Sequence, residues 1–275
     1  MFTINCNGRL LLLDRPVVMG IINCTPDSFY KSGRTEQLEA AINKAAQMVE
    51  EGATIIDVGG QSTRPGSLPV SDGEEMKRVV PVIKEIRKRF PTVFISVDTY
   101  QSSVARMAAE NGADLINDIS GGTFDEKMLS TVADLRLPFI CMHIKGKPLD
   151  MQKDPVYENV CLEILDYFIE RMAACKKAGI TDIILDPGLG FGKTFAHNFE
   201  ILKKLEVFRI TGKPLLIGIS RKGTIYKTLN ISPEEALNGT TVLNTVALMN
   251  GANILRVHDV KQAMEAVKLC SKIFE

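Results

Sequence analysis

Glu51-Gly-Ala-Thr-Ile-Ile-Asp57 is a stretch that the chain repeats. It returns as Asn111-Gly-Ala-Asp-Leu-Ile-Asn117, as Ala178-Gly-Ile-Thr-Asp-Ile-Ile-Leu-Asp186 and as Asn250-Gly-Ala-Asn-Ile-Leu-Arg256. Each copy reads as the end of a helix, a glycine suited to the left-handed cap, and then a strand. This is the αβ junction of a repeating β/α unit.

Working outward, eight short apolar, β-branched runs appear: Val17–Ile22, Thr54–Val58, Val93–Val97, Asp114–Ile119, Pro138–Met142, Asp182–Leu185, Pro214–Ile219 and Asn253–Val257. Several are apolar on consecutive residues, as expected of parallel strands covered on both faces. Between them lie segments with helical spacing, such as Leu38, Ile42, Ala45, Ala46 and Val49, or Ile164, Leu165, Phe168 and Met172. Ser71-Asp-Gly-Glu74 and Ser232-Pro-Glu-Glu235 both predict helix starts of the capping-box type. Phe2–Asn5 and Arg9–Leu13 flank Asn7-Gly8, a strong hairpin signal. Eight units in 275 residues come to about 34 each. The expectation is an α/β chain folded as a (β/α)8 TIM barrel, a single domain over 1–275, with residues 1–14 as an N-terminal β-hairpin at the barrel bottom. A doubly wound open sheet is weakened because the first strand-to-helix loop, Asn23 to Arg34, has no GxGxxG sequence.

Composition narrows the function classes. Lys plus Arg and Asp plus Glu are both 33, so the formal net charge is zero. Nothing here suggests a polyanion-binding protein, and no nucleic acid is expected as a partner. The hydrophobic share of 45% argues against disorder. No apolar run approaches membrane-spanning length, and the stretch Leu10–Leu13 is too short for a signal-peptide core. A cytoplasmic location without membrane contact is the expectation. Cys6, Cys24, Cys141, Cys161, Cys175 and Cys270 form no CxxC pair and read as reduced, partly buried thiols.

The chemistry of a β/α barrel gathers at the C-terminal ends of its strands. Those ends carry Asn23, Asp57, Asp98, Asn117 with Asp118, His143, Asp186, Ser220-Arg-Lys222, and Arg256 with His258. A single such residue is more often a turn former or helix cap. Eight strand ends of this kind together argue for a site. Carboxylates and amides suit the N–H edge of a polar heterocycle, and Lys222, Arg256 and His258 suit an anion. The ligand would then carry a heterocycle at one end and an anion at the other. No nucleophile motif and no HExxH sequence is present, and His143, His197 and His258 are too scattered to suggest zinc. Three long or glycine-containing loops follow strands one, two and six: 25–33, 59–66 and 186–193. They read as turns or as loops that close over substrate. The third lacks the GxxxxGK[ST] spacing of a nucleotide loop.

In this order the residues resemble a known family. Met19-Gly-Ile-Ile-Asn-Cys-Thr-Pro-Asp-Ser-Phe29, Asp57-Val-Gly-Gly-Gln-Ser-Thr-Arg-Pro-Gly66, Ser96-Val-Asp-Thr99 and Asn117-Asp-Ile-Ser-Gly-Gly122 are similar to the dihydropteroate synthases, pterin-binding barrels of the folate pathway. Met142-His-Ile-Lys-Gly-Lys-Pro148 with Met151-Gln152, Asp186-Pro-Gly-Leu-Gly-Phe-Gly-Lys-Thr194, Ser220-Arg-Lys222 and Arg256-Val-His-Asp-Val260 complete the likeness. The resemblance implies a transferase that condenses 6-hydroxymethyl-7,8-dihydropterin diphosphate with 4-aminobenzoate by an SN1-like path, with Mg2+ as cofactor. It implies pterin-edge hydrogen bonds from Asp186, Asn117 and Lys222, and a role for Asp98 in offsetting positive charge at the reacting carbon. Asp98 and Lys222 would be the catalytic pair. Asn23 would bind the metal, and Arg256, His258 and Thr63 the diphosphate. Residues 25–29, Arg64, Pro65 and Phe191 would frame the aminobenzoate pocket. A homodimer follows by family analogy.

Three positions depart from the family pattern. Lys31 stands where an acid is common, Gln61 where Glu is frequent, and Gly223 where Ser or Arg is common. Two rival readings share part of the likeness: a pterin-binding methyltransferase domain, and a non-catalytic pterin-binding paralogue. The first has no need of the Ser-Arg-Lys and Arg-Val-His sector.

Overall fold

The computed structural model describes residues 1–25, 34–63 and 66–274. Two strands open the chain, β1 (Phe2–Cys6) and β2 (Arg9–Leu13). Eight more follow: β3 (Val17–Asn23), β4 (Ile55–Gly59), β5 (Phe94–Asp98), β6 (Leu115–Asp118), β7 (Phe139–Met142), β8 (Ile183–Asp186), β9 (Leu216–Ile217) and β10 (Ile254–Val257). All eight predicted runs are therefore strands. The seventh is only two residues long, because Gly218 and the site residues after it leave the ladder early.

The eight strands pair in parallel in the order β8-β7-β6-β5-β4-β3-β10-β9. A parallel bridge between Leu185 and Leu215 joins the two ends, so the sheet is a nearly closed barrel. The helices cover its outside: α1 (Arg34–Glu50), α2 (Asp72–Arg89), α3 (Ser102–Glu110), α4 (Met128–Leu135), α5 (Val160–Ala178), α6 (Phe195–Lys203), α7 (Gly223–Leu229), α8 (Leu237–Met249) and α9 (Val260–Phe274). A 3₁₀ segment, Leu205–Thr211, lies between α6 and β9.

The repeat that decides the fold has a backbone cause. Gly52, Gly112, Gly179 and Gly251 take φ of 102°, 110°, 98° and 100°. An L side chain is strained in that region, so glycine ends each helix and turns the chain into the next strand. Ser71 caps α2 as expected, its hydroxyl accepting from the Glu74 N–H. The second predicted helix start is corrected. Glu235 does reach back to the Ser232 N–H at 2.9 Å, yet residues 232–236 form turns and α8 begins at Leu237.

Strand alternation creates two cores. Outward residues such as Val58, Val97, Ile116 and Leu185 pack under the helices. Inward residues Met19, Ile55, Leu115, Ile140, Ile184, Leu216 and Ile254 form a separate apolar cluster inside the barrel. The N-terminal hairpin closes that cluster from below. Asn7 and Gly8 both have positive φ, as a two-residue hairpin turn of the primed type requires. Ile4, Cys6, Leu11 and Leu13 face the barrel and are buried, while the alternating Leu10 and Leu12 are exposed. Arg9 fixes the hairpin by donating to Asp114 at 2.7 Å and lying 4.6 Å from the Phe94 ring centroid.

Candidate active site

The site follows from the period of two. Two residues above the inward apolar layer, each strand points its next side chain into the same barrel mouth. Ile55 is followed by Asp57, Leu115 by Asn117, Ile140 by Met142, Ile184 by Asp186 and Ile254 by Arg256. In register, Gly59 pairs with Asp98 and Asp98 with Asn117. The result is a polar layer on an apolar floor. A cleft there is lined by Thr63, Asp98, Asn117, Ile119, Met142, Asp186, Phe191, Gly218, Lys222 and Arg256.

Arg256 is the hub of this layer. Its Nε donates to Asp57 Oδ2 at 2.7 Å and its Nη2 to Asp98 Oδ2 at 2.7 Å. Asn117 Nδ2 donates to the same Asp57 oxygen at 3.1 Å. Asp57 is fully buried, and these two donors, Arg256 and Asn117, are its hydrogen-bond partners. Burial tends to lower the Arg256 pKa, but Asp57 and Asp98 outweigh it and hold the guanidinium charged.

Lys222 enters from the other side. Its Nζ donates to the Leu189 carbonyl at 2.5 Å and stands 4.6 Å from the Phe191 ring centroid. Burial pushes its pKa down to about 8, with Asp186 opposing the fall. Burial likewise raises the Asp186 carboxyl, against the pull of Lys222. Asp98 is pushed up to about 7 by burial, with Arg256 opposing and Asp57 adding to the rise. Among the described residues, Arg256 is the main counter-charge to Asp98 and Lys222 the main one to Asp186, and burial outweighs both.

His258 stands beside Ser220, whose Oγ is 3.1 Å from its Nδ1 and accepts from its backbone N–H at 3.2 Å. Burial, with Arg256 nearby, lowers the ring to about 4, so the imidazole is neutral at pH 7. It offers hydrogen bonds rather than a formal charge.

The strand-end residues do not all converge. Asp118, next to Asn117, points away from the barrel mouth, as alternation requires. Its carboxylate accepts from the Ser120 N–H, the Ser120 hydroxyl and the Gly122 N–H at 2.7, 2.7 and 2.9 Å, and so shapes the loop after β6. His143 is buried among Lys193, Tyr157 and Tyr167. Asn23 ends β3 half-buried. Gln61 donates through Nε2 to the Tyr100 hydroxyl and accepts at Oε1 from the Val70 N–H at 3.2 Å. These two bonds tie the loop after β4 to Tyr100 and to Val70. Gly223 opens α7, with Lys222 as its N-cap. Residues 26–29, Lys31, Arg64 and Pro65 lie outside the described residues.

Two features go beyond the sequence reading, which places Asp57 at a strand end but gives it no role and says nothing of Lys193 as a buried amine. Asp57 holds Arg256 and Asn117 together, and its parity with Ile55 is the signal that could have assigned it inward. Lys193 is completely buried, and a lysine in a glycine-rich loop gives no sign of that. Burial pushes the Cys24 thiol up to about 12, against the pull of Arg78, and so favours the neutral thiol at pH 7. All six cysteines are free.

Comparison with known proteins agrees with this geometry. The family described as pterin binding enzyme matches residues 19–258. Dihydropteroate synthase of Escherichia coli (strain K12) is 46% identical over 264 residues, covering 95% of this chain and 93% of the relative. Among solved structures, the Yersinia pestis dihydropteroate synthase with a sulfonamide drug complex superposes with a TM-score of 0.94 at 41% identity, covering 99% of each chain. The Xanthomonas albilineans dihydropteroate synthase with 4-aminobenzoic acid gives a TM-score of 0.93 at 39% identity, covering 99% of this chain and 98% of that one.

Proposed function

The chain belongs to the dihydropteroate synthase family of pterin-binding enzymes, and from that premise we propose how its polar layer performs the reaction. The enzyme condenses 6-hydroxymethyl-7,8-dihydropterin diphosphate with 4-aminobenzoate, giving 7,8-dihydropteroate and diphosphate. The observation that carries the assignment of roles is the single layer of Asp57, Asp98, Asn117, Asp186, Lys222 and Arg256 at the barrel mouth.

The pterin lies across this layer. Asp186 and Asn117 read its N–H edge, and Lys222 donates to its carbonyl and ring nitrogen. Phe191, already packed on Lys222, offers an apolar wall toward the aminobenzoate. Arg256 Nη1, which takes neither Asp57 nor Asp98, faces the diphosphate with His258 and Thr63. These groups hold the leaving group where its charge develops.

The bond from the methylene carbon to the diphosphate oxygen breaks, and its electron pair leaves with diphosphate. The electron-rich dihydropterin shares the positive charge left on carbon, and the Asp98 carboxylate offsets it. The aminobenzoate nitrogen, neutral at pH 7, donates its lone pair to that carbon, and the adduct then releases its extra proton to solvent. The chain provides orientation, charge and exclusion of water. No protein nucleophile is needed, in keeping with the absence of a nucleophile motif in the sequence.

Mg2+ suits the donors at this end of the barrel. Among the described residues no cluster of three or more His, Cys, Asp or Glu side chains is arranged to hold a metal. Asn23 offers one hard oxygen, and Mg2+ is commonly held by few protein oxygens together with water and substrate phosphates. When bound, the ion would neutralise diphosphate charge.

The enzyme acts as a homodimer in this reading. Exposed Val242 and Met249 on α8 and Leu269 and Ile273 on α9 give two neighbouring helices apolar surface that a second copy would cover. Six free thiols are in keeping with a reducing cytoplasm.

The test is turnover by purified protein. Dihydropteroate and diphosphate are expected in equal amounts, only with both substrates and Mg2+ present. No dihydropteroate under those conditions would return the chain to the rival readings, a methyltransferase domain or a silent pterin binder.

A further inference from the structure

Lys193 is 1% exposed, as deep as the apolar core, yet it carries an amine. Its Nζ is 2.8 Å from His143 Nδ1, and it donates to the carbonyls of Phe191, Gly188 and His143 at 2.9, 3.0 and 3.3 Å. These acceptors belong to two pieces of chain, the end of β7 and the loop that joins β8 to α6.

The two pieces touch backbone to backbone. A Cβ at Gly188 would lie 2.0 Å from the His143 carbonyl oxygen, and one at Gly192 would lie 2.1 Å from that of Lys145. Both glycines also take positive φ, 67° and 61°. Only glycine allows so close an approach, and the Lys193 amine fills the junction. Tyr157 adds a hydrogen bond to the Gly192 carbonyl at 2.8 Å, and Gln152 one to Gly190.

The clamped loop serves the active site at three points. Its Gly188 N–H donates to Asp186 Oδ1 at 2.7 Å. Its Leu189 carbonyl accepts from Lys222, and its Phe191 ring lies against the same ammonium. Lys193 itself does not line the cleft.

We propose that Lys193 is a positioning residue: its buried amine locks the 187–193 loop onto the end of β7 and thereby sets the carbonyl and the ring that orient Lys222 toward the pterin. The proposal rests on the reading of Lys222 as a substrate-binding group. If it holds, the loss caused by removing the clamp passes through Lys222. A lysine that merely stabilised the fold would give a loss independent of Lys222.

A double-mutant cycle separates the two. Lys193→Met keeps the stem and removes the amine, and it is expected to lower kcat/KM for the pterin diphosphate about 30-fold. Combined with Lys222→Ala, it should cost no more than about 3-fold beyond Lys222→Ala alone, because the oriented group is already gone. Losses that multiply would overturn the proposal, as would a Lys193→Met enzyme with wild-type kcat/KM. If Lys193→Met does not fold, His143→Phe takes its place in the cycle. It removes one acceptor while keeping a ring against Tyr167, 4.9 Å away between centroids, and the same criterion applies. The cycle is also read in pterin affinity, so a wild-type protein without turnover would strike the assigned reaction while the clamp was still judged by binding.

Discussion

Lys222→Ala is expected to lower kcat/KM by at least about 10²-fold, the scale of one lost electrostatic group in a water-excluded site. Three observations support so large an effect. The Lys222 amine is held by the Leu189 carbonyl and the Phe191 ring. It stands among the groups that line the cleft. Asp186 is the opposite charge that acts most strongly on it. The pH profile carries the same information. Burial brings Lys222 down to about 8, so its proton is lost as pH rises through that value. The protonated form is the one that donates to the pterin. Wild-type kcat/KM should therefore fall above about pH 8, the value to which Lys222 is lowered, and Lys222→Ala should lack that alkaline limb. Equal kcat/KM in variant and wild type would remove Lys222 from the site.

The second large effect is on stability. Arg256→Met leaves Asp57 and Asp98 facing each other without their cation. Breaking a buried pair by deleting one partner costs about 3–5 kcal/mol, because the remaining charge stays buried. Here two carboxylates lose the same partner. The pH dependence has a definite sign. Asp98 is raised to about 7 in the folded protein, from an ordinary value of 3.8. The folded state therefore binds more protons than the unfolded state between those values, and this group's contribution to stability falls as pH rises. Removing Arg256 raises the carboxyl further and steepens that fall. Urea denaturation at pH 6 and pH 8 should show the greater loss at pH 8. A loss that is equal at both, or greater at pH 6, would contradict this view of Arg256 as the counter-charge.

Much of this was open to a reader of the sequence. The strands could be found because burial on both faces makes them continuously apolar, and four of the helix ends because glycine best tolerates the φ near 100° that they need. The site could be placed because strands two, three, four, six and eight end on polar residues. Parity is harder to read. Asn117 and Asp118 are adjacent and chemically alike, and only the strand direction sends one inward. Contacts between distant residues are harder still. The partners of Arg256 lie 199 and 158 residues away in sequence. Barrel closure brings them together, and nothing in the local sequence around any of the three announces it. The burial of Lys193 was hidden for the same reason, since its partner His143 comes from another β/α unit. Local chemistry also misled once. Ser232-Pro233 has the composition of a helix start, yet the turn it makes delays α8 to Leu237.

The central claim is that the inward layer at the barrel mouth is the pterin site, and Asn117 and Asp118 test it most directly. They share one strand, but Asn117 donates to Asp57 inside the barrel while Asp118 accepts from Ser120 and Gly122 outside it. Calorimetric titration of the dihydropterin diphosphate into wild type, Asn117→Ala and Asp118→Asn compares the two faces. Asn117→Ala should weaken binding by about 10- to 100-fold, the cost of a lost buried hydrogen bond and of the partner left unsatisfied. Asp118→Asn, which keeps an acceptor oxygen for the loop, should bind within about 3-fold of wild type. Wild-type affinity in Asn117→Ala, or the greater loss in Asp118→Asn, would contradict the account.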